Sequence, residues 1–193
     1  MNDGGAPLRR IVMTGFMGAG KSTVGSLLAA KLGWPFLDID ALIVRQQNIT
    51  VAEIFARYGE HHFRTLEAEA IAAVLSPAHE HPRAVIALGG GAIETESVRA
   101  LLYGDDVGIA TVYLAAPLDE LLARCGAPAA ADALANSPLP ARPLLAAAEP
   151  PAARLARRLP LYQQASVSVE TAGLAPEIVV EHILKHALNK GAP

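Results

Sequence analysis

Gly15-Phe16-Met17-Gly18-Ala19-Gly20-Lys21-Ser22 follows the apolar run Ile11 to Met13 and precedes the helix-like stretch Thr23 to Leu32. Strand, glycine-rich turn and helix thus come in the order a phosphate-binding loop requires. Gly15, Gly18 and Gly20 carry no Cβ and tolerate positive φ, so successive N–H groups can point into one concavity at a helix N-terminus. With Ala19, Lys21, Ser22 and Thr23 they form the expected cradle for a polyphosphate. Lys21 supplies a point charge to the β- and γ-phosphates, and the Ser22 hydroxyl is an oxygen of the kind Mg²⁺ accepts. An ordinary glycine-rich turn does not demand the full G-x-x-x-x-G-K-S spacing after a strand, so the stretch reads as the core of a nucleotide-binding domain, for ATP.

Outward from that stretch the chain alternates strand and helix signals. Arg9 to Thr14 reads as a strand, and Lys21 to Leu32 as a helix closed by Gly33. Phe36 to Asp40 reads as a short second strand ending in two carboxylates, with a helix from Ala41 to Gln46. Thr50 and Glu53 form a capping-box pattern for a helix that Gly59 ends at Tyr58. A longer helix from Glu60 to Leu75 follows, with Phe63, Leu66, Ala70, Ile71 and Val74 on one face. Ala84 to Leu88 is a strand that runs into Gly89-Gly90-Gly91, and Glu94 to Tyr103 reads as helix. Ile109 to Leu114 is a fourth strand, Leu118 to Arg124 a helix behind Pro117, and Gly126 to Pro151 an Ala/Pro-rich cover. Helical pattern from Pro151 to Gln164, a strand at Ser166 to Glu170 and a helix from Pro176 to Leu188 close the chain. Apolar strands alternating with helices predict a parallel sheet covered on both faces, whose ligands gather at the carboxyl ends of the strands. The phosphate loop, Asp38 with Asp40, and Gly89 to Gly91 all fall there.

Bulk properties narrow the classes. A chain of 193 residues suits one domain with a substantial core. A net charge of -3 argues against a basic nucleic-acid surface, while sixteen Lys and Arg leave room for a local basic pocket. Cys125 is the only cysteine, which excludes an internal disulfide or a cysteine-based metal cluster and fits a reducing compartment. No segment approaches the roughly twenty apolar residues that span a bilayer, and Met1 to Pro7 lacks the features of a secretory signal. A cytoplasmic protein without nucleic-acid or membrane partners is expected.

The chemistry-bearing residues fall into groups. Asp38 and Asp40, alternating along an extended segment, would face different ways: Asp38 toward Ser22 and a metal, directly or through water, Asp40 toward a substrate hydroxyl as hydrogen-bond acceptor or base. The plain reading makes them turn residues, with Asp40 capping the next helix. Arg64 and Glu67 stand at i and i+3, either a surface ion pair or an arginine aimed into the cleft and held by the glutamate. Gly89, Gly90 and Gly91 can offer only backbone N–H groups and close approach. Arg142, in the Ala/Pro-rich segment, is either a solvated loop residue or an arginine brought over the transferring phosphate. Of Arg154, Arg157 and Arg158 at least one should be solvated, and Arg158 is the one steered inward. His61 and His62 lack metal-ligand spacing and should be exposed.

Taken in order, these motifs resemble the shikimate kinases. The resemblance rests on Gly15 to Gly25, on Leu37-Asp38-Ile39-Asp40, and on Glu53-Ile54-Phe55 with Gly59-Glu60, Phe63-Arg64 and Glu67. It continues through Leu88 to Ala92, Arg142-Pro143-Leu144-Leu145 and Arg158-Leu159-Pro160-Leu161-Tyr162. It implies a three-layer αβα phosphate-loop kinase fold with five parallel strands in the order 2-3-1-4-5. It further implies a substrate-binding region over residues 41–76, a lid over 125–145, and a single monomeric domain over 1–193. The implied reaction moves the ATP γ-phosphoryl group to the 3-hydroxyl of shikimate with Mg²⁺. By the resemblance Asp40 meets the ring hydroxyls and is the candidate base, Asp38 supports Mg²⁺, and Arg64 and Arg158 grip the carboxylate. Gly90 lends its backbone to the substrate, and Arg142 is the lid arginine at the phosphates. Three departures stand out: the stretch from Arg124 to Arg142 is long, Val44 replaces a common acidic residue, and Thr171 to Pro176 holds no arginine. The last makes Arg124 the candidate on the adenine side. The rival reading is a gluconate-type sugar-acid kinase, which shares the phosphate loop and also wants a basic site for a carboxylate.

Overall fold

Five runs of residues pair as strands of one parallel sheet: β1 (Arg10–Thr14), β2 (Phe36–Asp38), β3 (Ala84–Ala87), β4 (Ile109–Ala115) and β5 (Val167–Glu170). Their order is β2-β3-β1-β4-β5, the order that the resemblance implies. β1 lies between β3 and β4, with Arg10 opposite both Ala84 and Ile109. The three middle strands are almost wholly buried, as both faces of a parallel sheet must be, whereas β5 at the edge alternates buried and exposed. The computed structural model describes residues 8–104, 108–126 and 149–187. Arg142 and most of the expected lid lie outside them.

Helices supply the outer layers: α1 (Lys21–Leu32), α2 (Ile39–Gln47), α3 (Val51–Leu75), α4 (Glu96–Tyr103), α5 (Leu118–Gly126), α6 (Pro151–Tyr162) and α7 (Pro176–Ala187). α1 and α7 pack on each other and against the sheet, and α3 packs on α4. No helix among the described residues is long and apolar enough to cross a membrane. Local signals act as read: Gly33 closes α1 in the left-handed region, and Thr50 with Glu53 forms a full capping box on α3. At Gly59 α3 kinks rather than stops, with φ 81° and ψ 171°. That one residue re-aims the following turns, which carry Phe63, Arg64 and Glu67.

The start of α2 also differs from the reading of the sequence, and the helix read from Glu94 begins at Glu96. β2 ends at Asp38 and α2 already starts at Ile39, so Asp40 sits in the first helical turn rather than on an extended segment. The cap is Asp38, whose Oδ1 accepts from the Ala41 N–H at 3.2 Å, and not Asp40. A carboxylate on β2 satisfies the helix end two residues before the anticipated start, and this frees Asp40 to turn inward.

Candidate functional site

The phosphate loop leaves β1 and enters α1 through Gly20, which adopts φ 88° and provides no side-chain cap. The N-cap residue thus offers the first-turn N–H groups of α1 no side chain in competition with an anion. Gly18 also lies at positive φ, and a Cβ there would stand 2.2 Å from the Leu121 carbonyl oxygen of α5, so the loop is pressed against α5. Lys21 Nζ donates to the carbonyl oxygens of Gly15 at 2.8 Å and Phe16 at 3.1 Å, folded over its own loop. Ser22 Oγ donates to Asp38 Oδ2 at 2.8 Å. With its proton committed to Asp38, the Ser22 oxygen keeps its lone pairs for a hard cation, and an all-oxygen pair of this kind fits Mg²⁺.

Gly89, Gly90 and Gly91 are the floor on which the remaining residues meet. None of the three has positive φ, so conformation does not require glycine here. Space does. A Cβ on Gly89 would lie 2.2 Å from Glu67 Oε1 and 3.0 Å from Asp40 Oδ1, and one on Gly91 would lie 2.3 Å from Arg64 Nη2. A Cβ on Gly90 would face the phosphate loop, 3.4 Å from the Gly15 oxygen and 3.5 Å from the Met17 nitrogen. The close approach expected of this turn is thus made first by the protein's own side chains. Asp40, Arg64 and Glu67 crowd its surface while its backbone runs along the phosphate loop. The Tyr162 hydroxyl donates to the Gly90 carbonyl, and its ring stacks on Tyr113 at 5.1 Å, fixing the turn from the α6 side.

Arg64 reaches the cleft rather than solvent. It donates to Glu67 Oε2 at 2.7 Å and Glu60 Oε1 at 2.9 Å, with its guanidinium 5.5 Å from the Phe63 ring centre. Glu67 is 1 % exposed, which decides against the surface ion pair. Burial would lower the Arg64 pKa, but Glu67 and Glu60 outweigh it and raise it, so the charge is secure. For Glu67 burial dominates and raises the carboxyl pKa against the pull of Arg64. Arg158, 2 % exposed, enters from α6 over the Phe16 ring. It donates from Nε to Glu94 Oε2 at 2.8 Å, and burial lowers its pKa. Among its neighbours Arg157 is the solvated one, while Arg154 is buried against Glu149.

Asp40 Oδ1 is out of solvent and has no hydrogen-bond partner among the described residues. Burial first, then the charges of Asp38 and Glu67, push its carboxyl up to about 7 against Lys21 and Arg64. A carboxyl poised near neutrality beside an unfilled acceptor position is what a general base requires. Asp40 and Glu67 above one glycine, Arg64 and Arg158 at the sides, and Lys21 across the turn can hold an anionic alcohol against a polyphosphate.

Arg124 lies away from this group. It ties α5 to the segment after β5 through Thr171 Oγ1 at 3.0 Å and the Thr171 oxygen at 2.8 Å, and it pairs with Glu120. His61 and His62 are exposed, as expected. Reading the sequence missed Glu94, whose only local signal is an acidic side chain three residues after a glycine turn, where a helix start explains it equally well.

Comparison with known proteins gives one family. The sequence matches the shikimate kinase family over residues 17–188. It is 41 % identical to a shikimate kinase of Geobacter sulfurreducens, across 91 % of this chain and 88 % of that one. Among solved structures it resembles a shikimate kinase from Acinetobacter baumannii in complex with shikimate, at 35 % identity and TM-score 0.78, covering 95 % of this chain and 94 % of the other. A gluconokinase from Sinorhizobium meliloti 1021 shares the fold alone, at 19 % identity and TM-score 0.53, over 95 % and 93 % of the two chains.

Proposed function

The chain belongs to the shikimate kinase family, and from that premise we propose how its own residues move the γ-phosphoryl group of ATP to the 3-hydroxyl of shikimate. The observation that carries the assignment of roles is the gathering of Asp40, Arg64 and Glu67 on the Gly89–Gly91 turn, directly beside the phosphate loop. Gly18, Ala19, Gly20, Ser22 and Thr23 receive the phosphates, and Lys21 leaves its loop carbonyls for the β- and γ-phosphates as ATP enters. Ser22 would hold Mg²⁺ while Asp38 holds Ser22, so Asp38 would act on the metal through the hydroxyl or a water. When bound, Mg²⁺ neutralises charge on the β- and γ-phosphates.

Arg64 and Arg158 take the shikimate carboxylate, for which planar forks are suited, and Gly90 offers its backbone N–H to the ring. Asp40 accepts the proton of the 3-hydroxyl as that oxygen bonds to the γ-phosphorus and the bond to the bridging oxygen breaks, leaving ADP. Because such transfer is loose, positioning and charge neutralisation do most of the work. Residues 41–76 form the substrate-binding region, with Arg124 on the adenine side; most of the lid that the resemblance implies, with its Arg142, lies outside the described residues. The enzyme works as a cytoplasmic monomer.

A coupled ADP-release assay with shikimate, with gluconate and with no acceptor tests this reading. Turnover with shikimate alone is expected. Equal rates with and without shikimate, or preference for gluconate, would defeat it.

A further inference from the structure

Glu94 has no role in the reaction as described, yet it holds the most deeply buried cation of the site. Its Oε2 accepts from Arg158 Nε at 2.8 Å and lies 2.7 Å from Nη2, so it occupies the side edge of the guanidinium. Nη1 is out of solvent and has no hydrogen-bond partner among the described residues. The edge formed by Nη1 and Nη2 is therefore the one left for an incoming carboxylate, the two-pronged geometry in which guanidinium binds carboxylate best.

Glu94 is itself held firmly. It ends a 3-10 turn (Ala92–Glu94) that grows out of the glycine turn, and its N–H donates to the Gly91 oxygen at 3.0 Å. Arg99 Nη1 clamps the carbonyl oxygens of Ile93 and Glu94, each at 2.8 Å. The second carboxylate oxygen contacts Arg157 Nη1, and Arg157 also bonds Glu149 at the start of α6. With its backbone clamped and Oε2 shared between Nε and Nη2 of Arg158, the carboxylate cannot rotate without breaking that contact. It thus ties the orientation of Arg158 to the turn against which Asp40 and Glu67 pack.

We propose that Glu94 is a positioning residue for substrate: it fixes which edge of Arg158 faces the shikimate carboxylate, and so the register of the ring over the Gly89–Gly91 turn. The proposal rests on the assignment of Arg158 to that carboxylate. A different role, charge neutralisation alone, makes the opposite prediction. Removing a negative charge beside an anion-binding arginine would then tighten binding of an anionic substrate.

The test compares Glu94→Ala, Glu94→Asp, Glu94→Gln and Arg158→Ala with the wild-type enzyme, by steady-state kinetics in both substrates and by thermal melting. Glu94→Ala is expected to raise KM for shikimate about tenfold, the size of one lost coupled charged contact, with KM for ATP unchanged and kcat within about threefold. Glu94→Asp keeps the charge but withdraws it by a methylene, and is expected to raise KM nearly as much. Glu94→Gln keeps shape and an acceptor oxygen, and is expected to raise it by only about threefold. The double variant Glu94→Ala with Arg158→Ala should be no worse than Arg158→Ala alone. A lowered or unchanged shikimate KM in Glu94→Ala and Glu94→Asp, while Arg158→Ala raises it, overturns the positioning role and leaves the proposed function standing. If Glu94→Ala does not fold, the same criterion applies to Glu94→Asp. Wild-type enzyme without shikimate-dependent turnover, or Arg158→Ala with unaltered KM, would remove the underlying assignment and this proposal with it.

Discussion

Asp40 shows how far a few atoms of packing can change a side chain's chemistry. With its carboxyl pushed up to about 7, kcat/KM for shikimate should rise with pH along a limb centred near that value, and Asp40→Asn should abolish the limb along with most activity. A pH–rate profile flat from 5 to 8 would contradict it. The same shift has a stability consequence of definite sign. The folded state holds this proton more tightly than the unfolded chain, whose aspartate titrates near 3.8, so the contribution is whole below about pH 4 and is lost as pH rises through about 7. Asp40→Asn should therefore gain stability on the wild type across that window, by up to a few kcal/mol, and the gain should be constant above it. Denaturant titrations at several pH values would show this. At Arg64, lysine keeps the charge and loses the fork. Arg64→Lys should raise KM for shikimate at least about tenfold and KM for ATP much less, and equal losses would refute the assignment.

At the scale of elements, the Gly89–Gly91 turn separates two kinds of glycine. Gly89→Ala drives a methyl into Glu67 and toward Asp40, whereas Gly90→Ala meets the phosphate loop only at ordinary contact. The first should lower kcat about a hundredfold, as misplacement of a reacting group by about an ångström does, and the second by far less. Comparable rates for the two variants would mean that the turn does not set the carboxylates. The existence of this turn was legible in three consecutive glycines, as were the phosphate loop, the α3 capping box and the pairing of Arg64 with Glu67. What filled the space was not, because sequence spacing carries no information about which distant side chain arrives at a given Cα. The misplaced start of α2 has a similar cause. Phe36 to Asp40 alternates like a strand, and only the hydrogen bond from Ala41 to Asp38 shows that the helix begins early. Glu94 was illegible for another reason: its partner, Arg158, stands 64 positions away.

The whole molecule is ordered by its sheet. With β1 at the centre, the loops that follow β1 and β3 are neighbours, which brings a motif near residue 15 against one near residue 90. Every strand pairing is parallel, and Arg10 meets Ala84 on one side and Ile109 on the other, so the sheet is built from pairings between segments far apart in the chain. Refolding from denaturant should accordingly be slow, in milliseconds to seconds, and stopped-flow traces complete within about a hundred microseconds would be at odds with this topology. Central placement of the first strand also sets a timetable for biosynthesis. The earliest strand has to wait for a later one: a nascent chain that has not yet emitted β4 can flank β1 on one side only. The nucleotide cradle, although encoded almost at the start of translation, is completed only after more than half of the polypeptide has left the ribosome, so truncated products carry the motif without the ability to use it.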